Sequence, residues 1–235
     1  MRLGLVGRGP VGRFLAARLD PECWTGRELR LSQGLDGVIL AVPDTAIEAT
    51  AQAVVDAVGS TALIHCSGAT PLAALAAAQH AAVWHPMRPF PAGEHVERLD
   101  CVVGLRGDPV WVERLAAWSQ AWGGKPVPLA EDQALRVHLA CCYAAGATAL
   151  MTALARQHFL AAGIDAQHMK QAIRGLSYPA LEAVLDHGAQ AITGPARRGD
   201  DAVLAAHREL QAPAEATLQE GVLGQLKALG LIPPS

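Results

Sequence analysis

The sequence predicts an α/β domain built on a doubly wound, mostly parallel sheet, followed by an all-α domain. Three observations carry this. Short apolar, β-branched runs alternate with alanine-rich stretches through the first half of the chain. A glycine-rich turn, Gly7-Arg8-Gly9-Pro10-Val11-Gly12, closes the first such run and opens a helical pattern. Strand signals then stop near Glu131, and only helical periodicity follows. Alternation of strand and helix patterns argues for parallel strands with helices packed on the sheet.

Strands are expected at residues 2–6, 23–25, 38–42, 62–65, 82–85 and 101–104, with a last one at 125–129, and helices between them. Thr45-Ala-Ile-Glu48 reads as a capping box, and Thr70-Pro71 as an N-cap followed by proline in the first turn. Only some ten residues separate Arg27 from the strand at 38–42, and little in them is helical, so that side of the sheet is abbreviated. A long helix should run from 131 to about 162, closed by Gly163. Shorter helices are expected at 166–174, 179–187, 201–210 and 213–229, the last ended by Gly230. The segment Gly123-Gly-Lys-Pro-Val-Pro128 is the natural boundary, giving domains 1–127 and 128–235.

Composition narrows the partners. The 235 residues carry a formal charge of −3, only 17% are charged, and no run of Lys and Arg stands out. Nucleic acid and anionic membrane surfaces are therefore not expected as partners. The N-terminus does not read as a signal peptide, because glycines interrupt its apolar run. The longest uncharged stretch, residues 139–155, falls short of the ~20 residues of a membrane helix and reads as a buried helix. Five cysteines without a CxxC pair suit a reduced, cytoplasmic compartment, where they serve as small core residues. Apolar residues make up 51% of the chain. Either a partner subunit covers some of that surface, or alanine-rich helices account for it.

The opening glycines match the G-x-G-x-x-G pattern of a Rossmann-like dinucleotide cradle, with a strand before it and a helix after it. Gly7 permits the tight turn, Gly9 lets the backbone approach a pyrophosphate, and Gly12 lets helix and strand pack closely; free amides at the helix start meet the phosphate charge. Pro10 lacks one such amide but is well placed in a first turn. The competing reading is a bare structural turn. About 20 residues past the motif, where NAD-binding chains place an acid, stands Arg27; a guanidinium there suits a 2′-phosphate, favouring NADP. Arg8 is placed to help, and the plain alternative is that Arg27 is a solvated loop charge.

Ligands of open α/β sheets sit beyond the carboxyl ends of the strands. Val42 and Pro43 should wall the nucleotide, with Ser67 and Gly68 near the nicotinamide ribose. Asp44 reads equally as a helix-starting carboxylate. His85 is the first candidate for general acid or substrate anchor, against a histidine satisfied by backbone at a strand end. His65, inside an apolar strand, reads as structural. His138, Cys142, Ala145 and Ala149 form one helical stripe; His138 reaches substrate if the stripe lines an interdomain cleft and is structural if it packs at a dimer interface. In the turn-rich Thr193-Gly-Pro-Ala-Arg-Arg-Gly-Asp200, Arg198 is a candidate carboxylate clamp. Asp200 either caps the next helix or orients His207, and Arg197 reads as solvated. No metal-ligand spacing is present.

With GRGPVG at 7–12, AVPDTAI at 41–47, HCSGA at 65–69, WHPMRPF at 84–90, His138, and TGPARRGD at 193–200 followed by His207, the chain resembles the 6-phosphogluconate-dehydrogenase-like oxidoreductases, kin of pyrroline-5-carboxylate and ketopantoate reductases. It looks most like a bacterial family that joins a Rossmann-like domain to a C-terminal helical domain of unknown function, of which TGP-x-x-RGD is the specific signature. The resemblance implies an NADP-dependent oxidoreductase fold, dimeric, in a group whose substrate is generally unassigned. Taken with the candidate residues, the expectation is an NADP(H)-dependent oxidoreductase acting on a small carbonyl or imine substrate bound between the two domains. The rival is a non-catalytic dinucleotide-binding sensor or scaffold. One departure stands out: eight residues past His138 the family tends to carry asparagine, and this chain has Gly146.

Overall fold

The computed structural model describes residues 1–232. It divides into two compact units, the first spanning residues 1–150 and the second the remainder. The first unit is ordered β1 (Leu3–Val6), α1 (Pro10–Leu19), β2 (Cys23–Thr25), β3 (Gly37–Leu40), α2 (Ile47–Val58), β4 (Ala62–His65), β5 (His80–Pro86), β6 (Val102–Gly107), α3 (Pro109–Ala121), β7 (Lys125–Pro128) and α4 (Glu131–Cys141). Its seven strands form one sheet in the order β2-β1-β3-β4-β5-β6-β7. Every neighbouring pair is parallel except β5 with β6. The doubly wound, mostly parallel sheet is thus present, with all seven expected strands.

Both faces of the sheet are covered, which is why its strands read as continuous apolar runs rather than alternating ones. On one face Leu5, Ile39, Ile64, Trp84 and Leu105 pack with Phe14 and Leu15 of α1 and Trp111 and Leu115 of α3. On the other, Val6, Val38, Leu40 and Leu63 pack with Ile47, Ala51 and Val54 of α2.

Three connections lack a helix: the one between β2 and β3, where the sequence reads as abbreviated, and two others where a helix is expected and the expectation is corrected. β2 and β3 are joined by an irregular segment, and β4 and β5 by a single 3₁₀ turn, Leu72–Leu75. Residues 87–101 cross from β5 to β6 without a helix. Without a crossover helix, β6 returns antiparallel to β5. This long loop is held by guanidinium groups: Arg88 Nη1 donates to the carbonyls of Arg98 and Leu99, both at 2.8 Å. Arg18 Nη2 donates to the Val96 carbonyl at 2.8 Å while stacking on Phe14.

Both proposed caps are also corrected. The chain enters α2 through a 3₁₀ turn, Asp44–Ala46, in which the Ala46 amide bonds the Pro43 carbonyl. Ala46 is consequently the N-cap, and no side-chain capping bond forms. At the turn after β4, Pro71 takes the cap position. The Leu72 amide is satisfied instead by Oε1 of Glu131, 59 residues away, at 2.8 Å.

Beyond α4 the helix continues through a π segment, Cys142–Ala147, into α5 (Thr148–Ala161), and Gly163 with φ +79° follows it. The second unit adds α6 (Ala166–His187), α7 (Pro195–Arg198), α8 (Asp201–Glu209) and α9 (Pro213–Ala228). Where two helices are expected around Pro179, one 22-residue helix passes through it. The proline removes one bond, to the carbonyl of Gly175, and the turns on both sides continue regardless.

The expectation of a buried helix at 139–155 is overturned. Glu131–Ala161 is continuous over 31 residues and, by length and composition alone, apolar enough to cross a membrane. Leu135, Leu139, Tyr143, Leu150 and Met151 stand 40–66% exposed. Apolarity signals that a face requires cover; it does not say that the same chain supplies it.

Candidate functional site

The first turn after β1 is shaped by steric necessity. Gly7 has φ +117°, and a Cβ there would lie 2.1 Å from the Ala41 carbonyl oxygen. A Cβ on Gly12 would lie 2.1 Å from the Gly7 carbonyl oxygen, so α1 approaches β1 as closely as backbone allows. Gly9, the N-cap of α1, faces open space: a Cβ there meets nothing within 4 Å. Pro10 begins α1, and the amides of Val11 and Gly12 have no intrahelical acceptor in a first turn. A hollow of about 220 Å³ lies beside this turn, walled by Pro10, Arg13, Phe14 and Phe90.

β2 sits against this turn. Gly7 donates to the Thr25 carbonyl at 2.9 Å, and Trp24 Nε1 donates to the Gly7 carbonyl at 2.8 Å. Arg8 reaches over β2, its Nη2 donating to the Trp24 carbonyl at 3.1 Å and its guanidinium lying 5.2 Å from the Trp24 ring centre. Arg27, exposed, follows two residues after the strand. Two guanidinium groups are therefore brought to the carboxyl end of β2.

Val42 packs on the core beneath α2, and Pro43 is the N-cap of the 3₁₀ turn with Asp44 exposed beside it. The Ser67 hydroxyl is occupied by its own loop, accepting from the amides of Ala69 at 3.1 Å and Thr70 at 2.9 Å. Gly68 lies against a histidine: a Cβ there would stand 2.5 Å from Cε1 of His85.

His85 and His138 come together, with ring centres 6.0 Å apart. His85 is 9% exposed, and its ring makes no hydrogen bond among the described residues, which removes the reading of a histidine satisfied by backbone. Burial first, then the His138 and Arg106 charges, push its pKa down to about 4, so at neutral pH the ring is uncharged. His138 Nδ1 lies 3.8 Å from the Cys142 thiol one turn on. Both histidines open onto a groove of about 640 Å³ walled by Pro86, Met87, Val137, Ala145 and Gly146. His65 is fully buried as expected, its Nδ1 accepting from the Ser67 amide at 3.2 Å, and burial likewise lowers its pKa to about 4.

What holds this arrangement was not visible in the sequence. Arg106 on β6 has a side chain 3% exposed; its Nε stands 2.9 Å from Oε2 of Glu131, and its Nη2 donates to the Thr70 carbonyl at 2.7 Å. The start of α4, which carries His138, is thereby tied to the sheet that carries His85. No spacing rule links residues 106 and 131. Among the cysteines, Cys142 is exposed rather than core, because its turn of helix lines the open groove.

The turn-rich segment at 193–200 lies in the second unit. Arg198 is paired with Asp200, Nη2 to Oδ2 at 2.8 Å, so the carboxylate makes no capping bond to α8 and none to His207. His207 is exposed. Arg197 is not a solvated charge: Nη2 donates to Oε1 of Gln190 at 3.1 Å, and Nη1 to the carbonyl of the buried Leu231.

Residues 101–221, more than half of the chain, match the family described as domain of unknown function DUF2520. The chain belongs to that family. No curated protein matches this DUF2520 chain in sequence. Solved structures share its fold. A Bacteroides fragilis protein provisionally described as an NADP oxidoreductase aligns with a TM-score of 0.81 at 19% identity, covering 96% of this chain and 97% of that one. The imine reductase of Myxococcus stipitatus, solved with NADP⁺, gives 0.67 at 14% identity over 98% and 95%. Pyrroline carboxylate reductase of Plasmodium falciparum, solved with NADP bound, gives 0.61 at 13% identity over 97% and 95%. At these identities the likeness establishes a Rossmann-like architecture for the DUF2520 chain.

Proposed function

We propose that this DUF2520 protein is a cytoplasmic NADP(H)-dependent oxidoreductase of the 6-phosphogluconate-dehydrogenase-like kind, acting on a small carbonyl or imine compound. The observation that carries the reading is the empty space at Gly9, set between two glycines that no other residue can replace without a backbone clash. That space and the amides of Val11 and Gly12 fit a diphosphate. Arg8 and Arg27 at the end of β2 fit the extra phosphate of NADP. The fold neighbours solved with NADP support the same choice.

When bound, the nicotinamide supplies or accepts the hydride. The side chains do the rest. His85, uncharged and without a protein partner, is free to donate a hydrogen bond to the carbonyl oxygen or imine nitrogen and hold it in place. His138, half-buried beside it, is placed to pass the proton that the same atom takes up on reduction. Pro86 and Met87 line the groove at this point and limit water. Arg198, held by Asp200, would have to exchange partners to clamp a substrate carboxylate.

Thermal shift with the two nucleotides tests the cofactor. A ligand at 100 times its Kd stabilises by ~2.7 kcal/mol. NADPH should raise the melting temperature more than NADH at equal concentration, and Arg27→Ala should erase that difference. Equal shifts in the unaltered protein would remove the 2′-phosphate reading, and no shift with either would remove the dinucleotide.

The exposed apolar stripe of Leu135, Leu139, Tyr143 and Leu150 is assigned to a second copy of the chain. Patches of this kind on soluble chains mark interfaces. Glu131, at the start of the same helix, is bonded into the sheet unit rather than free to enter a lipid phase. Light scattering in detergent-free buffer should return the mass of two chains. A monomer, or a protein that stays in solution only with detergent, would overturn the assignment.

A further inference from the structure

We propose that the groove between the end of β5 and the π segment after α4 receives the apolar body of an uncharged carbonyl or imine substrate, and that Gly146 sets how large that body can be. The inference rests on the oxidoreductase reading and adds the substrate class. Three observations carry it.

First, the lining offers no available charge. Apart from the two histidines and the two cysteine thiols it consists of Pro86, Met87, Pro89, Val137, alanines and Gly146, together with Arg88. That arginine is committed: two carbonyls take its Nη1, and its guanidinium stands 5.5 Å from the Phe90 ring centre. A carboxylate in this groove would lose water without gaining a partner, which is costly. Charge complementarity thus favours a neutral ligand.

Second, the polar groups sit together at one place. His85 is uncharged at neutral pH, and a neutral imidazole offers one donor and one acceptor. His138 stands beside it. One hydrogen-bonding point with an apolar trough leading away matches a molecule with one polar atom on an apolar frame. The volume, about 640 Å³, lies in the range of small-molecule sites.

Third, the trough is kept open by a π segment and by small side chains. Cys142–Ala147 contains three alanines and Gly146. A Cβ on Gly146 meets nothing within 4 Å. π segments that interrupt helices are frequent at functional sites. Any longer side chain at 146 would extend into the groove without disturbing backbone, so the size limit lies at this residue.

The test uses a matched pair of probes, phenylacetone and phenylpyruvate, which share a benzyl group and a ketone and differ in the carboxylate. Calorimetry is run on the full chain with and without NADPH. Phenylacetone should bind about tenfold or more tightly than phenylpyruvate. Gly146→Leu should weaken phenylacetone by a similar factor, while Gly146→Ala keeps it near the unaltered value. Leucine is the better helix former, so the variant should fold, and an unchanged NADPH-induced thermal shift verifies that it has. Tighter binding of phenylpyruvate, or indifference of phenylacetone to Gly146→Leu, would overturn the proposal. Phenylacetone binding with no response to either nucleotide would leave the groove standing and remove the cofactor reading instead. NADPH binding without any phenylacetone binding would do the reverse.

Discussion

Gly12→Ala should destabilise the first unit by ~3 kcal/mol and abolish nucleotide binding. Glycine to alanine inside a helix ordinarily stabilises by about 1 kcal/mol, so the sign of the change is itself informative. Here the new methyl would stand 2.1 Å from the oxygen and 2.9 Å from the carbon of the Gly7 carbonyl, both backbone atoms. Gly7 cannot retreat, because it is already pressed on the Ala41 carbonyl at φ +117°. Nor can α1 lift away cheaply, since Phe14 and Leu15 are 5% and 2% exposed in the core. The melting temperature should fall by roughly 6–12 °C, and titration with NADPH should give no heat. Gly9→Ala separates fold from function. Its methyl meets no protein atom, so it should melt like the unaltered protein and still lose the nucleotide. If Gly9→Ala binds NADPH normally, the space at residue 9 is not a diphosphate cradle.

The sheet was legible because its strands are short and apolar on both faces, and the segments between them break that pattern. Ala62–His65 and Cys23–Thr25 fall where the sequence puts them. The glycine turn was legible for a related reason: each glycine answers a local steric demand within a few residues. Helix starts were less so. Thr45 and Glu48 satisfy a capping rule, yet the chain turns earlier, at Pro43, and Thr70 loses its role to a carboxylate from residue 131. A local rule cannot weigh a partner 59 residues off. In the candidate site, His85 and His138 were named singly, and only the fold sets their rings 6.0 Å apart. Arg106 escaped notice because an arginine in a strand ordinarily points to water. Burial at 3% becomes apparent only once the fold brings Glu131, at the start of α4, to the Arg106 guanidinium. The exposed stripe at 135–150 marks the opposite limit, where apolarity is plain and its cover lies outside one chain.

Glu131→Ala should cost about 3 kcal/mol, near the lower end of what removing one partner of a buried ion pair costs, because Glu131 itself is half-exposed. The Leu72 amide loses its acceptor and the Arg106 guanidinium its counter-charge. The Arg106 guanidinium keeps only the Thr70 carbonyl, and the Leu72 amide keeps nothing from its own 3₁₀ turn. Burial already disfavours the charge on Arg106, lowering its pKa from the usual value, and Glu131 is what opposes that trend. The consequences extend to the histidines. His138 lies seven residues along α4 from Glu131, so freeing the helix start loosens the geometry that sets it beside His85. Calorimetric melting should record the loss of stability. Hydrogen exchange should show faster amides at 70–75 and 131–141, with the strands β1, β3 and β4 unchanged. Glu131→Gln, which keeps an acceptor but not the charge, should fall between. Pairing Glu131→Leu with Arg106→Met should recover most of the stability, since apolar residues of similar size replace buried ion pairs at little cost. That double variant would then report the function of the pair separately from its contribution to folding: if it melts normally and the His85–His138 site still loses phenylacetone, the ion pair positions α4 and does not merely stabilise it. Unaltered melting and exchange in Glu131→Ala would mean that the contact between α4 and β6 is held by packing alone.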